Sequence, residues 1–293
     1  MDIGRVGLWT SLLDRHPTSR VREVVREVEA MGWPTLWRPE STGRDVLVAS
    51  SVMLDATSSL IVASGIAQIY ARHPVTAAAA QKTLFEAHSG RFLLGLGVAH
   101  APSVERIRKL EYRTPYSDMV AYLEAMSDAP YAAVEPATEP PTVLAALGPR
   151  MLRLSAEAAD GAHPYFTPPD HTVMAREILG QGPLLAPEQM VVIDTDLRRA
   201  RGVARANMQR YLRLPNYTNN LLRCGFTQTD IDNVTDRLVD GIVACGDIDA
   251  AVDRVQQHLD AGADHVCIQV LVENNDLDAT IGLWRELADA YSL

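Results

Sequence analysis

Along the 293 residues, short unbroken apolar runs alternate with longer stretches in which apolar side chains recur at helical spacing. Residues 4–9 form a run suited to a first buried strand. Residues 20–31 then place Val21, Val24, Val25 and Val28 on one helical face among Arg and Glu, with Gly32 as the stop. Residues 35–37 predict a second strand ending at Arg38-Pro39-Glu40, 45–54 a helix, 60–66 a third strand and 74–88 a helix. Strands four to eight are predicted over 92–97, 142–146, 161–165, 189–194 and 265–271, with helices over 117–126, 149–159, 171–178 and 276–291.

Eight strands alternating with helices, several of them continuously apolar, call for a parallel sheet covered on both faces. The fold class is therefore α/β, and the count predicts a (β/α)8 TIM barrel forming one domain over residues 1–293. Two insertions interrupt the repeat. Residues 99–116 make a Pro-containing connection after strand four, and 196–264 are expected to hold two or three helices after strand seven. A doubly wound open sheet is the competing architecture. It would carry an early G-x-G-x-x-G, and the nearest approach, Leu94-Gly95-Leu96-Gly97-Val98, sits late in its unit.

With 27 basic and 37 acidic side chains the net charge is −10, which argues against nucleic acid or an anionic membrane as partner. A small-molecule ligand remains, and even a phosphate can be held locally by Arg and a helix N-terminus. Cys224, Cys245 and Cys267 are widely spaced without a C-x-x-C pair and read as free thiols of a cytoplasmic protein. No basic leader with an apolar run opens the chain, and no segment has the length and apolarity of a membrane span.

The chemistry of such a barrel belongs at the C-terminal strand ends. Gly65-Ile66-Ala67-Gln68 closes strand three. Gly148-Pro149-Arg150-Met151 follows strand five with proline at a first helical position, so free backbone N–H groups make an anion site there. Glu40, after strand two, and His100, beyond strand four, are placed to exchange protons with a substrate. Tyr70, Arg72, His73, His163 and Tyr165 are candidates for the pocket wall. The histidines lack the carboxylate pattern of a metal site, and no G-x-S-x-G elbow occurs.

The segments Ile61-Val62-Ala63-Ser64-Gly65-Ile66, Ala71-Arg72-His73-Pro74 and Ser89-Gly90-Arg91-Phe92 running into Leu94-Gly95-Leu96-Gly97, then 143–151 and 159–165, resemble the luciferase-like flavin and deazaflavin oxidoreductases. The likeness extends over nearly the whole chain and is nearer to the actinobacterial branch that uses coenzyme F420. It implies a non-proline cis peptide at Gly65-Ile66 behind the deazaflavin and a phosphate at the 148–151 loop. The implied cofactor set is Gly65, Ile66, Ala67, Gln68, Val98, Ser103, Ala146, Leu147, Gly148, Pro149, Arg150 and Met151. It further implies hydride transfer between deazaflavin C5 and a small organic substrate, and a homodimer through the helices after strands two and three.

An FMN-dependent monooxygenase on the same fold is one alternative, and a non-catalytic F420-binding or structural dimer protein is another. Gln68 and His73 stand where relatives carry Asn and Asp, and Ser41 replaces the His of the sugar-phosphate dehydrogenase branch, so sugar-phosphate oxidation is not expected. An apolar mouth with Tyr70 and Tyr165 hints at an uncharged or hydrophobic substrate.

Overall fold

In the computed structural model, which describes residues 1–293, the apolar runs join into one parallel sheet. The first half of the chain gives β1 (Val6–Trp9), α1 (Thr18–Ala30), β2 (Thr35–Arg38), α2 (Val46–Leu54), β3 (Ile61–Ser64), β4 (Ala67–Gln68), α3 (Pro74–Ala87), β5 (Phe92–Gly97) and α4 (Pro115–Ser127). After it come β6 (Thr142–Leu144), α5 (Pro149–Glu157), β7 (Gly161–Ala162), α6 (Pro169–Leu179), β8 (Leu184–Leu185), β9 (Glu188–Ile193), α7 (Leu197–Met208) and α8 (Pro215–Arg223). The chain ends with α9 (Gln228–Asn233), α10 (Asp236–Ile242), β10 (Val243–Gly246), α11 (Ile248–Asp260), β11 (Val266–Val270) and α12 (Leu277–Tyr291).

The hydrogen-bonded path β9-β11-β1-β2-β3-β5-β6-β7-β8 closes on itself, because Ala186-Pro187 joins β8 to β9. The Ala186 N–H donates to Ala162 O on one side of the joint, and the Cys267 N–H donates to Pro187 O on the other. With β3–β4 and β8–β9 each counted as one interrupted strand, the ring is the eight-stranded barrel expected from the periodicity. Its interior holds Trp9, Trp37, Ala63, Leu93, Val143 and Cys267, and the largest apolar cluster fills the layer between the sheet and the helices.

The second insertion is richer than expected. It contains five helices, α7 to α11, and a further strand, β10, which pairs with β9 from Val243 opposite Met190 to Gly246 opposite Ile193. The 99–116 connection holds a π-helical turn over Pro102–Ile107. The strand expected over 161–165 stops at Ala162: Pro164 has no N–H for a ladder, and Phe166 takes a left-handed φ of 62°. Phe166 and Leu271, beyond the ends of β7 and β11, pack with Met208, Tyr217, Leu221 and Phe226 of the insertion. The insertion is thereby seated on the C-terminal rim of the barrel. No helix is long and apolar enough to cross a membrane.

Candidate active site at the barrel mouth

The third barrel strand breaks at its C-terminal end, where the Gly65–Ile66 peptide is cis. The Gly65 N–H donates to Arg38 O at 2.7 Å, the Glu40 N–H to Ile66 O at 3.1 Å, and the Trp9 indole to Gly65 O at 3.2 Å. A Cβ on Gly65 would lie 2.8 Å from Trp9 Nε1 and 2.9 Å from His163 Nε2, so only glycine fits. Gly97 leaves the space that Ile66 occupies, since a Cβ there would come 2.5 Å from Ile66 Cδ1. Gly95 admits the carbonyl of Ser64, whose hydroxyl pairs with both the N–H and the C=O of Gly95 at 2.8 and 2.9 Å. The two glycines of Leu94-Gly95-Leu96-Gly97 therefore accommodate the bend.

A second feature lies at the start of α5. Gly148 is its N-cap residue and Pro149 opens the helix, leaving the first-turn N–H groups of Arg150 and Met151 without intrahelical acceptors. A Cβ on Gly148 would find only Arg223 Nη2, at 4.0 Å. The Arg223 guanidinium also donates to Asn220 Oδ1 at 2.8 Å, and the buried Asn220 Nδ2 has no partner. His171 Nε2 lies 2.8 Å from Leu147 O. A helix N-terminus, a guanidinium and an unsatisfied amide thus gather around one open glycine, a donor set suited to phosphate. Arg223 and Asn220 carry no local signal in the sequence, lying about 75 residues away on α8. The Arg150 guanidinium sits 4.1 Å from the centroid of the Tyr116 ring on α4, so Arg150 offers this set its backbone N–H. Ala146 is buried beside Leu152, with Met151 packed on the same cluster.

The residues expected beside the strand-three bend divide into three groups. Glu40 is not a free acid, because its carboxylate takes the Gln68 N–H at 2.7 Å and both terminal nitrogens of Arg72, Nη1 at 3.0 Å. Arg72 also reaches Asp45 at 2.9 Å. Gln68 spends its amide on Glu40 O and on the guanidinium of Arg108, tying the loop after β2 to the loop after β5. His73 accepts the Val75 N–H and caps α3, and the Tyr70 hydroxyl donates to Asp118 on α4 at 2.5 Å. Tyr70, Arg72 and His73 thus each hold a scaffold contact beside the bend. Removing Arg72 would leave a buried carboxylate uncompensated, so Arg72→Met is expected to cost about 3 kcal/mol in denaturant unfolding. Arg72→Met combined with Glu40→Gln should recover most of that loss.

His100 and Val98 remain at the mouth. The His100 ring lies 5.4 Å from Tyr217, and burial holds its pKa below the usual histidine value. Ser103 is the second residue of the π-helical turn, its N–H donating to His100 O at 2.9 Å. Beneath the bend, His163 stacks on Trp37 with centroids 4.4 Å apart, and its Nδ1 faces Ala186 O at 2.7 Å. Its Nε2 has no partner. Tyr165 stands between Trp9, 5.1 Å away, and Tyr211, 5.3 Å away. The sequence reading missed Glu188, buried at the start of β9, which accepts the Phe166 N–H at 3.3 Å and keeps its other oxygen unpaired. Burial pushes its carboxyl up to about 8.

The bend and the phosphate-type donor set at the C-terminal end of one barrel agree with the comparison to known families. The sequence model of the luciferase-like monooxygenase family matches residues 7–265. The chain belongs to this family. Among its relatives is a Mycobacterium tuberculosis protein named as a coenzyme F420-dependent oxidoreductase, 26% identical over 84% of this chain and 89% of that one. Among solved structures, an F420-dependent secondary alcohol dehydrogenase superposes with a TM-score of 0.77 at 15% identity, covering 97% of both chains. The oxygenating constituent of 3,6-diketocamphane monooxygenase from Pseudomonas putida, solved with FMN, superposes with a TM-score of 0.73 at 13% identity over 97% of this chain and 96% of that one. At these identities both structures speak for a common fold.

Proposed function

We propose that this luciferase-like chain is an oxidoreductase that binds coenzyme F420 and exchanges a hydride with a small organic substrate. The observation that carries the proposal is the coexistence, at one end of the barrel, of the Gly65–Ile66 bend and the Gly148–Arg223 donor set. The first is a backbone shelf made by glycine and isoleucine, suited to the face of a planar ring. The second suits a phosphodiester. When bound, F420 supplies a hydride donor or acceptor at its deazaflavin C5, and the rest of the chemistry falls to the protein.

In this reading Gly65, Ile66, Ala67, Val98 and Ser103 would hold the ring. Ala146 and Leu147 border the route to the phosphate, which Gly148, the N–H groups of Arg150 and Met151, and the Arg223 side chain hold. His100 is the proton-handling residue: burial keeps its imidazole neutral near pH 7, able to accept a proton from a substrate hydroxyl. Glu40 acts through Arg72 and Gln68 to fix the loops around the bend. The Mycobacterium tuberculosis relative supports F420 over FMN.

The donor set provides the test. Arg223→Leu is expected to weaken F420 binding about tenfold or more, the worth of one lost charge-assisted hydrogen bond. Gly148→Asp, which sets a carboxylate against the phosphate, is expected to abolish binding, with both variants folded by circular dichroism. Unchanged affinity in both would remove α5 from the site.

A further inference from the structure

A cavity of about 430 Å³ opens at the rim between the loop after β1, the loop after β11 and α7. Arg15 and Arg210 line it, and neither takes part in any of the chain's ion pairs, which engage other arginines such as Arg199. The Arg210 guanidinium rests 4.6 Å from the Tyr211 ring centroid and reaches Asn207 Oδ1 only at 3.4 Å. Glu273, exposed on the rim, is the sole carboxylate of the wall.

A third donor is built in from below. Gln269, only 5% exposed, accepts the Tyr165 hydroxyl on Oε1 at 2.8 Å, and the Tyr211 hydroxyl stands 2.6 Å from that of Tyr165. This chain fixes the amide with Nε2 left over for the cavity, without a partner in the protein. Two unpaired guanidinium groups and an oriented amide donor are what recognition of a carboxylate or phosphate requires, and they are wasted on an apolar ligand. Two rings link the cavity to the bend: Tyr165 contacts Gln269 on one side and Trp9 on the other, and Trp9 donates to Gly65 O.

We propose that this cavity holds the anionic end of the substrate, a carboxylate or phosphate paired with Arg15 and Arg210 and oriented by Gln269. The inference rests on reading the bend as the hydride-transfer site. It replaces the uncharged substrate suggested by the apolar sequence around the mouth with an organic anion whose uncharged end reaches towards Gly65 and Ile66. Arginines on the insertion and on the loop after β1 could meet here only through the fold.

The experiment is a titration with inorganic phosphate at constant ionic strength, followed by tryptophan fluorescence, in the Gly148→Asp background that blocks the α5 site. Saturable binding is expected there, and adding Arg15→Leu and Arg210→Leu should weaken it about tenfold or more. Both arginines are exposed, so folding should be unaffected. F420 affinity should change less than about twofold in the double arginine variant with Gly148 intact. Phosphate binding that vanishes with Gly148→Asp alone, or that survives loss of both arginines, would overturn the proposal. So would a parallel loss of F420 affinity, which would assign the arginines to the cofactor's own acidic tail. Phosphate binding here by a protein that does not bind F420 would leave the anion site standing and refute the hydride-transfer reading.

Discussion

Acidification from pH 7 to pH 4 is expected to strip the protein of most of its stability. Burial lowers the pKa of His163, His171 and His265 to about 4 and that of His258 to about 3, against an ordinary value of 6.5. All four rings are held neutral by the fold: His258 lies between Thr172 and Gln189, at 2.7 and 2.9 Å, and His265 between Trp37 and Gly4 O, at 3.1 and 2.8 Å. Between pH 6.5 and 4 the unfolded chain binds protons at these positions and the folded chain does not, so unfolding gains proton uptake and stability falls with falling pH. One such histidine contributes roughly 3 kcal/mol by pH 4, and four together rival the 5–15 kcal/mol margin of a typical domain. Glu188 works in the opposite sense. With its folded pKa raised to about 8, it lowers stability as pH rises above the unfolded value of 4.5. Four groups against one leave the histidines in control below pH 6. Denaturant midpoints at pH 7, 6, 5 and 4 should fall steeply, and a flat profile would contradict the burial of neutral imidazoles.

Gly95→Ala is expected to be among the most damaging single methyl additions in the chain. Its Cβ would sit 2.1 Å from Ser64 O, a backbone atom of the neighbouring strand, and 3.3 Å from Ile66 Cγ2. Relief requires β3 and β5 to part, which also breaks the pair of hydrogen bonds between Ser64 and Gly95. Overpacking together with two lost buried hydrogen bonds sets the expected cost at about 3 kcal/mol or more. Gly97→Ala meets the flexible end of Ile66 instead, at 2.5 Å from Cδ1. It should cost less in unfolding while shifting Ile66, so its larger effect should fall on F420 affinity. Equal stability losses for the two substitutions would contradict the division of labour between the glycines.

The barrel was legible because its strands are apolar runs bounded by turn residues, a pattern that survives without tertiary information. β10 was not, since Val243-Ala244-Cys245 runs straight on from Ile242, and the nearest glycine, Gly241, lies inside α10 and not at its end. The location of the bend followed from the family resemblance, but its support by Gly95 and Gly97 depends on where Ile66 points. Polar residues at strand ends were read as site residues, although helix starts lie there too: His73 caps α3 and Arg150 stacks on Tyr116. Glu40 and Arg72 were each visible, but their pairing was not, and the pairing ties the Glu40 carboxylate to the loops around the bend. Arg223, Asn220, Arg210 and Gln269 reach the mouth from elements distant in sequence, where no periodicity or short motif marks them.

The most direct test of the cofactor assignment is titration of the purified wild-type protein with F420 and, separately, with FMN, followed by quenching of cofactor fluorescence. Expected is F420 binding at about micromolar affinity or tighter and at least about tenfold preferred over FMN. Preference for FMN, or binding of neither, would contradict the assignment of the Gly65–Ile66 bend and the Gly148–Arg223 donor set to F420.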